Sequence, residues 1–449
     1  MGPDTTELTA ALDAAIARQR VENRVPSLSA ALAVDGEVWW TGTAGGSTPR
    51  SRYRVGSITK PMTGVGVLRL VEAGRVGLDD PIGDHLPDSP VPHATIRHLL
   101  THTSGLPSEA GGEWWERVPG ITWDQLVARQ LPTLFPPGAQ YHYSNTGFAI
   151  LGHLLTVLGG RPWNEVLSTD VWEPLGMTST SIEPDDHSVR GWAVHPTEDL
   201  VLAEPAPRYL VLGSAGEVWS TPSDLVRFGS WLSAHDVTDE RVLSRQWRLA
   251  MGRPGPVVDK LSGAWVTSQG LALRVSNDTT GRWVGHGGSV PGFQAAVRAD
   301  QTTGLALAIC GNSSHSAGSL LELCRIARAW AADHLPAQPT TAILDPELLG
   351  DWWWGTRRYT VRALAADRLV VDGNEDTDRS TLFALVDGRW VGVAGGYFLG
   401  EELRLVPDDD APTTLDIGSF TFTRMVHDPA ARIPGGFDEA GWVPFSFED

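Results

Sequence analysis

RVGSITKP, residues 54–61, is the stretch from which both the fold and the chemistry of this chain can be argued. It contains Lys60, one of only two lysines among the 35 basic residues. Arginine stays protonated at any working pH, whereas a desolvated lysine can lose its proton near neutrality and accept one from a serine hydroxyl. Residues three apart share a helix face, with Cβ atoms about 5–6 Å apart, so Lys60 can reach Ser57. The segment predicts a nucleophilic serine with a general base one helical turn away.

The residues after Ser57 predict a buried helix. An apolar stretch runs to Gly74, a typical stop residue, and Pro61 fits because it lies within the first turn. Ser57 would then sit at the helix N-terminus, where unpaired amides favour developing negative charge. A serine three residues before a lysine also arises by chance, so the assignment needs partners elsewhere in the chain.

Composition limits the classes of function. The chain has 449 residues and a net charge of −19, and 41% of its residues are apolar. This length allows two or three packed domains. The negative charge repels phosphate backbones and anionic lipid surfaces, so we predict a small-molecule or short-peptide substrate and neither a nucleic-acid nor a membrane partner. Oligomeric state cannot be predicted.

Nothing in the sequence indicates export. The N-terminal residues lack a basic segment followed by an apolar core, and no apolar run approaches the roughly 20 residues that span a bilayer. We therefore predict a cytoplasmic protein. Cys310 and Cys324 are predicted to be buried free thiols.

The pattern along the chain predicts an α/β (α+β) domain over residues 1–335. Apolar runs at 27–34 and 37–41, joined by Asp35-Gly36, predict a β-hairpin. Residues 76–205 show short helical patterns and little strand signal, which predicts a helical insertion. Strand patterns return at 283–286, 293–299 and 305–310 and are followed by a helix near 320–332.

A second domain is predicted at the C-terminal end. Residues 336–344 have the composition of a linker, and residues 345–426 alternate short strands with Gly and Asp turns, as in a small β-barrel. Residues 427–449 are predicted to be an irregular tail.

Two further segments supply candidate partners for Ser57. In YHYSNTG, residues 141–147, the phenol of Tyr143 could relay a proton if a neighbouring ammonium lowered its pKa, and the amide of Asn145 could hold the lysine and a substrate carbonyl. Taken alone, this segment is better explained by packing aromatics and a helix cap.

The other segment is WVGHGGS, residues 283–289. Gly287 and Gly288 would let a substrate lie close to the strand edge, and the amide near Ser289 could complete an oxyanion hole with that of Ser57. An ordinary turn beside His286 is the structural alternative.

Together these motifs resemble the serine β-lactamase and penicillin-binding-protein superfamily, in particular its class C β-lactamase, D-aminopeptidase and esterase branch. Ser57/Lys60, Tyr143/Asn145 and His286/Gly288 follow the family order. The resemblance implies an antiparallel sheet flanked by helices. It also implies acyl transfer through an acyl-serine, with the proton transfers shared by Lys60 and Tyr143.

One residue departs from the family pattern. Many relatives have lysine where this chain has His286, which is mostly neutral at pH 7. In the family that lysine helps hold the substrate carboxylate. Its absence argues against efficient turnover of penicillins and of D-Ala-D-Ala ends. Esterases and aminopeptidases of the fold often carry histidine there, so the residue favours an esterase or an amidase/peptidase.

Several alternatives remain open at this point. An amine in place of water would make the enzyme an acyltransferase or a peptide-offloading cyclase, and a penicillin-recognising protein without turnover would keep only the fold. Trp114 and Trp115, with Trp123, could form an aromatic rim that selects apolar acyl groups, or simply core. His98 and His102 have the spacing of metal ligands but lack a third ligand, so we predict no metal and no cofactor.

Overall fold

A computed structural model describes residues 4–235, 240–278, 280–301, 303–334, 345–365, 367–373, 379–386, 388–436 and 442–444. The chain divides into two units, residues 1–331 and 332–449. The linker predicted at 336–344 lies outside the described residues, as does part of the predicted tail.

A seven-stranded antiparallel sheet organises the larger unit. Its order, β2-β1-β11-β10-β9-β8-β7, joins an N-terminal hairpin to strands from the end of the unit. The antiparallel sheet is confirmed, and it contains two strands that were not predicted, β7 and β8. The strands are β1 (Leu28–Val34), β2 (Glu37–Ala44), β7 (Thr267–Gln269), β8 (Arg274–Asp278), β9 (Gly281–Val290), β10 (Phe293–Ala299) and β11 (Leu305–Gly311).

Helices cover this sheet. Every residue of the interior strands β1 and β11 is buried, which requires cover on both faces. Helix α1 (Thr6–Glu22) packs on β1 and β2, and α8 (Pro222–Leu232) packs across β1, β10 and β11. Gln19 of α1 also donates a hydrogen bond of 2.6 Å to Glu322 of α10 (Leu320–His334).

Helical segments fill the chain between residues 55 and 252. They continue beyond position 205, where the predicted insertion ended, because Thr221 caps α8 and Pro222 occupies its first turn. Two short strand pairs, β3 with β6 and β4 with β5, also lie here. The elements are β3 (Tyr53–Arg54), α2 (Thr59–Glu72), α3 (Ile96–Leu100), α4 (Trp123–Ala128), α5 (Asn145–Gly159), α6 (Trp163–Leu167), β4 (Trp192–Val194), β5 (Val201–Ala203), α7 (Gly213–Gly216), β6 (Trp219–Ser220) and α9 (Arg245–Met251).

The smaller unit is a nearly closed antiparallel barrel of eight strands in sequential order, which confirms the predicted β-barrel. Trp353 and Thr423 exchange two backbone hydrogen bonds of 2.7 and 2.9 Å between its two ends. Trp352, Phe383 and Phe422 lie in its core. The strands are β12 (Gly350–Trp354), β13 (Arg357–Ala365), β14 (Arg368–Asp372), β15 (Thr381–Val386), β16 (Arg389–Gly395), β17 (Glu402–Val406), β18 (Thr414–Ile417) and β19 (Phe420–Phe422).

Cys310 and Cys324 are buried free thiols, as predicted. Among the residues that the structure describes, none of the helices combines the length and the apolarity needed to cross a bilayer.

The packing of α8 yields a stability prediction. Phe228 is 0% exposed, so Phe228→Ala should lower the free energy of unfolding of the larger unit by about 3–5 kcal/mol. Leu202, 68% exposed on β5, is the matched control: Leu202→Ala should change that free energy by less than about 0.5 kcal/mol. Denaturant unfolding measures both, and equal effects would contradict the assignment of α8 to the core.

Candidate active site

Ser57 lies in a tight turn that leads directly into a helix. A 3₁₀ turn, Gly56–Ile58, is followed without a break by α2. Gly56 has φ of 52°, in the left-handed region that favours glycine. The turn is fixed to the rest of the unit by a 2.9 Å hydrogen bond from Val55 N to Val218 O. The backbone therefore holds Ser57 at the start of α2.

Lys60 lies one turn further along, and its amine points back to the serine. Nζ lies 2.9 Å from Ser57 Oγ and 2.8 Å from Ala215 O. The side chain is 0% exposed, and burial lowers the pKa of the amine to about 7. A neutral amine in this position donates to Ala215 O and offers its lone pair to the hydroxyl proton of Ser57. The geometry is that of a serine activated by an adjacent base.

Tyr143 lies close to the amine, two residues before α5. Lys60 Nζ is 4.9 Å from the centre of the Tyr143 ring. Burial raises the pKa of the phenol well above its usual value, and a hydrogen bond with Ser57 opposes this only in part. The sequence-based expectation of a lowered pKa was therefore wrong, because desolvation outweighs the neighbouring charges. The phenol stays protonated and can act as a proton donor.

His102 holds the Tyr143 segment in place. Its ring stacks on the ring of Tyr143, with centroids 4.3 Å apart, and its Nδ1 accepts a 3.0 Å hydrogen bond from Ser144 N. Burial lowers the pKa of His102 well below its usual value, so the ring is neutral. Its φ of 57° is unusual for a residue other than glycine. We infer that His102 positions the phenol.

Asn145 makes no hydrogen bond to the amine of Lys60. Its Nδ2 donates a 2.7 Å hydrogen bond to Glu109 Oε1, and the hydrogen bonds of Lys60 go to Ser57 and Ala215. The expectation that this amide holds the lysine was wrong, because the first residue of α5 faces the loop that carries Glu109.

His286 lies on β9, near Tyr143, with ring centroids 6.3 Å apart. Its Nδ1 donates to Gly287 O, and its buried Nε2 has no partner among the described residues. Burial, assisted by the charges of Lys60 and Arg274, lowers the pKa of His286 to about 3. It is a neutral polar group and not a substitute for a cationic lysine.

The end of β9 presents an open edge beside Ser57. Strand β8 pairs with β9 only as far as Gly285, so none of the described strands pairs with Gly287, Gly288 and Ser289 on that side. A Cβ on Gly288 would lie 1.9 Å from Val55 O, and one on Gly56 would lie 2.8 Å from Ser289 N. Only glycine permits this approach of backbone to backbone. It brings the amide of Ser289 to the turn that carries the amide of Ser57, as an oxyanion hole requires.

The tryptophans predicted to rim the site have different environments. Trp114 is 59% exposed, and its Nε1 donates to Glu116. Trp115 is buried and donates a 2.6 Å hydrogen bond to Glu109 Oε2, so Glu109 joins it to Asn145. Trp123 stacks on His153 instead, with ring centroids 3.9 Å apart.

Three charged residues near the amine were not predicted from the sequence. Arg274 lies on β8 opposite Gly285, with its guanidinium 5.7 Å from the centre of the Tyr143 ring. The charges of Glu109 and Glu116 raise the pKa of Lys60, and the charge of Arg274 lowers it. No motif marks these residues, because the hairpin register and the 107–120 loop bring them to the site. Arg274 supplies a cation where His286 does not.

The chain belongs to a known family. Residues 12–328 match the family described as Beta-lactamase, and this match covers more than half of the chain. Residues 344–424 match a second family, described as a domain of unknown function (DUF7586).

Several characterised proteins are similar to this chain. Penicillin-binding protein 4* of Bacillus subtilis (strain 168) is 30% identical over 268 residues, 55% of this chain and 57% of that protein. Esterase EstB of Burkholderia gladioli is 32% identical over 222 residues, 41% of this chain and 55% of that protein. The chain spans little more than half the length of these two curated relatives. D-amino acid amidase from Ochrobactrum anthropi SV3, solved with L-phenylalanine, is 26% identical with a TM-score of 0.63, covering 73% of this chain and 99% of that one.

The charges around Lys60 predict how ester hydrolysis depends on pH. The neutral amine accepts the proton, so kcat/KM should rise with pH and level off above about 7. Arg274→Gln should move this rise to higher pH, because the guanidinium lowers the pKa of Lys60. Glu116→Gln should move it to lower pH. A p-nitrophenyl ester gives the profiles, and shifts in the opposite directions would contradict Lys60 as the base.

The contacts of His102 predict a selective loss of kcat. His102→Phe keeps an aromatic ring but loses the acceptor for Ser144 N, so kcat should fall about 10- to 100-fold with KM little changed. His102→Asn keeps an acceptor and tolerates the left-handed backbone, so it should restore most of kcat. Equal thermal midpoints for the two variants are the control for folding. Wild-type kcat in His102→Phe would contradict the positioning role.

Proposed function

We propose that this protein is a serine hydrolase that forms an acyl-serine at Ser57 and acts on small esters and amides, short peptides included. The observation that carries the proposal is the 2.9 Å contact between Ser57 Oγ and a fully buried lysine amine. Similarity to a penicillin-binding protein, an esterase and a D-amino acid amidase supports the same reaction class. The cytoplasmic location stays a prediction from the sequence.

The steps follow from the positions of these groups. Neutral Lys60 takes the hydroxyl proton as Ser57 attacks the substrate carbonyl. The amides of Ser57 and Ser289 stabilise the resulting oxyanion. Tyr143, kept protonated by burial, donates a proton to the leaving group. The protonated Lys60 then returns a proton to Tyr143. A water molecule then attacks the acyl carbonyl as neutral Lys60 takes its proton, and collapse of the second tetrahedral intermediate returns that proton to Ser57 Oγ and releases the acid.

The charges near the site indicate the form of the substrate. Glu109 is exposed and accepts hydrogen bonds from Asn145 and Trp115, and the negative charges of Glu109 and Glu116 both act on Lys60. Carboxylate oxygens have spare lone pairs, so these two residues suit an acyl group with a free ammonium. Arg274, beside Tyr143, suits a leaving group with a negative charge. We propose amides and esters of amino acids, D-amino acids included, as preferred substrates.

One panel tests this proposal. Wild type should hydrolyse p-nitrophenyl esters and phenylalanine p-nitroanilide of one enantiomer, and should prefer the free amine over its N-acetyl form. Ser57→Ala and Lys60→Arg should each lower kcat/KM at least about a thousandfold. The first variant has no nucleophile, and in the second the guanidinium cannot accept the proton. Glu109→Gln should reduce the preference for the free amine and leave hydrolysis of simple esters within about threefold of wild type.

Two results would contradict the proposal. Undiminished hydrolysis by Ser57→Ala would exclude the acyl-serine. A preference for the N-acetylated substrate that survives Glu109→Gln would exclude ammonium recognition and leave the reaction class intact. Arg50→Gln is the surface control and should hydrolyse these substrates as the wild type does, because Arg50 is exposed and belongs to none of these contacts.

A further inference from the structure

A second concave site lies in the larger unit. The cavity has a volume of about 570 Å³, within the roughly 300–1,000 Å³ range of small-molecule sites. Its walls come from α3 and the loop after it, from α9, and from the turn between β7 and β8. Among the described residues that line it, none belongs to the Ser57, Lys60, Tyr143 and His286 group. It is therefore a separate site from the one assigned to catalysis.

One wall of this cavity is apolar. Trp247 and Ala250 of α9 face it, together with Leu78 and Leu271. An aromatic ring beside aliphatic side chains suits an apolar body of moderate size.

The polar part of the lining carries positive charge. Arg253 is exposed and has neither an ion pair nor a side-chain hydrogen bond within the described part of the chain, whereas Arg97 is paired with Asp79 at 2.7 and 2.9 Å. His98 Nδ1 accepts a hydrogen bond from Thr95 N, which leaves its proton on Nε2. No aspartate or glutamate is among the described lining residues. In a chain with a net charge of −19, this local excess of donors favours a carboxylate.

One of the lining residues, Gln269, has an unsatisfied acceptor. Gln269 is 0% exposed, and its Oε1 has no hydrogen-bond partner within the described ranges, although its Nε2 donates to Gly270 O. Buried acceptors are normally paired, so this oxygen calls for a donor. A single neutral acceptor matches the one N–H of an amide better than the three donors and the charge of an ammonium.

We propose that this cavity binds an apolar N-acylamino acid. The carboxylate lies between Arg253 and His98, and the amide N–H faces Gln269. The side chain packs on Trp247 and Leu271. This assignment does not depend on the reaction proposed for Ser57.

Calorimetric titration of the full chain carrying Ser57→Ala tests the proposal without consuming a ligand. N-acetylphenylalanine should bind in at least one enantiomer, and its neutral amide and 3-phenylpropionate, which lacks the N–H, should each bind about tenfold or more weakly. Arg253→Gln should abolish the difference between acid and amide. Gln269→Met should abolish the difference between N-acetylphenylalanine and 3-phenylpropionate.

Further variants locate the binding. Arg50→Gln, an exposed arginine outside the cavity, should leave the affinity unchanged, and so should Arg274→Gln, which alters the catalytic group. If Gln269→Met fails to fold, Arg253→Gln still decides the result, because Arg253 is on the surface. Absence of heat with N-acetylphenylalanine would overturn the proposal. Loss of binding in Arg274→Gln but not in Arg253→Gln would overturn it too, since the ligand would then occupy the catalytic cleft.

Discussion

A desolvated amine held against a hydroxyl is the interaction on which the rest of this site depends. Lys60 is fully buried, and its amine makes hydrogen bonds to Ser57 Oγ and to a single backbone carbonyl. Burial disfavours the charged form, so the amine is available as a base near neutral pH. A guanidinium could not fill this role. This requirement explains the lysine at this position in a chain that otherwise uses arginine for all but one of its basic residues.

Desolvation acts in opposite directions on the groups around that amine. It lowers the pKa of Lys60 and of His286, and it raises the pKa of Tyr143. One dry environment therefore yields a neutral base, a neutral imidazole and a protonated phenol. Separating the protonation states in this way is what an acid–base reaction requires. The charge of Glu116 raises the pKa of Lys60, and the charge of Arg274 lowers it.

The larger unit positions the site through close backbone contacts. Gly288 on β9 and Gly56 before the nucleophile approach so closely that neither can carry a side chain. Because β8 stops pairing at Gly285, the strand leaves an open edge at the same place. A substrate backbone can lie against that edge with its carbonyl next to two amides. The sheet thus serves as both scaffold and binding surface.

Features that depend on residues close together in the chain could be predicted from the sequence alone. Ser57 and Lys60 are one helical turn apart, so their contact follows from spacing alone, and strand periodicity was sufficient for β9 to β11 and for the C-terminal barrel. The tertiary structure alone decided what depends on distant segments. It paired Asn145 with Glu109, brought Arg274 to Tyr143 through the β8–β9 register, and reversed the expected pKa shift of the phenol. Burial and register are properties of the packed chain, and no short stretch of sequence contains them.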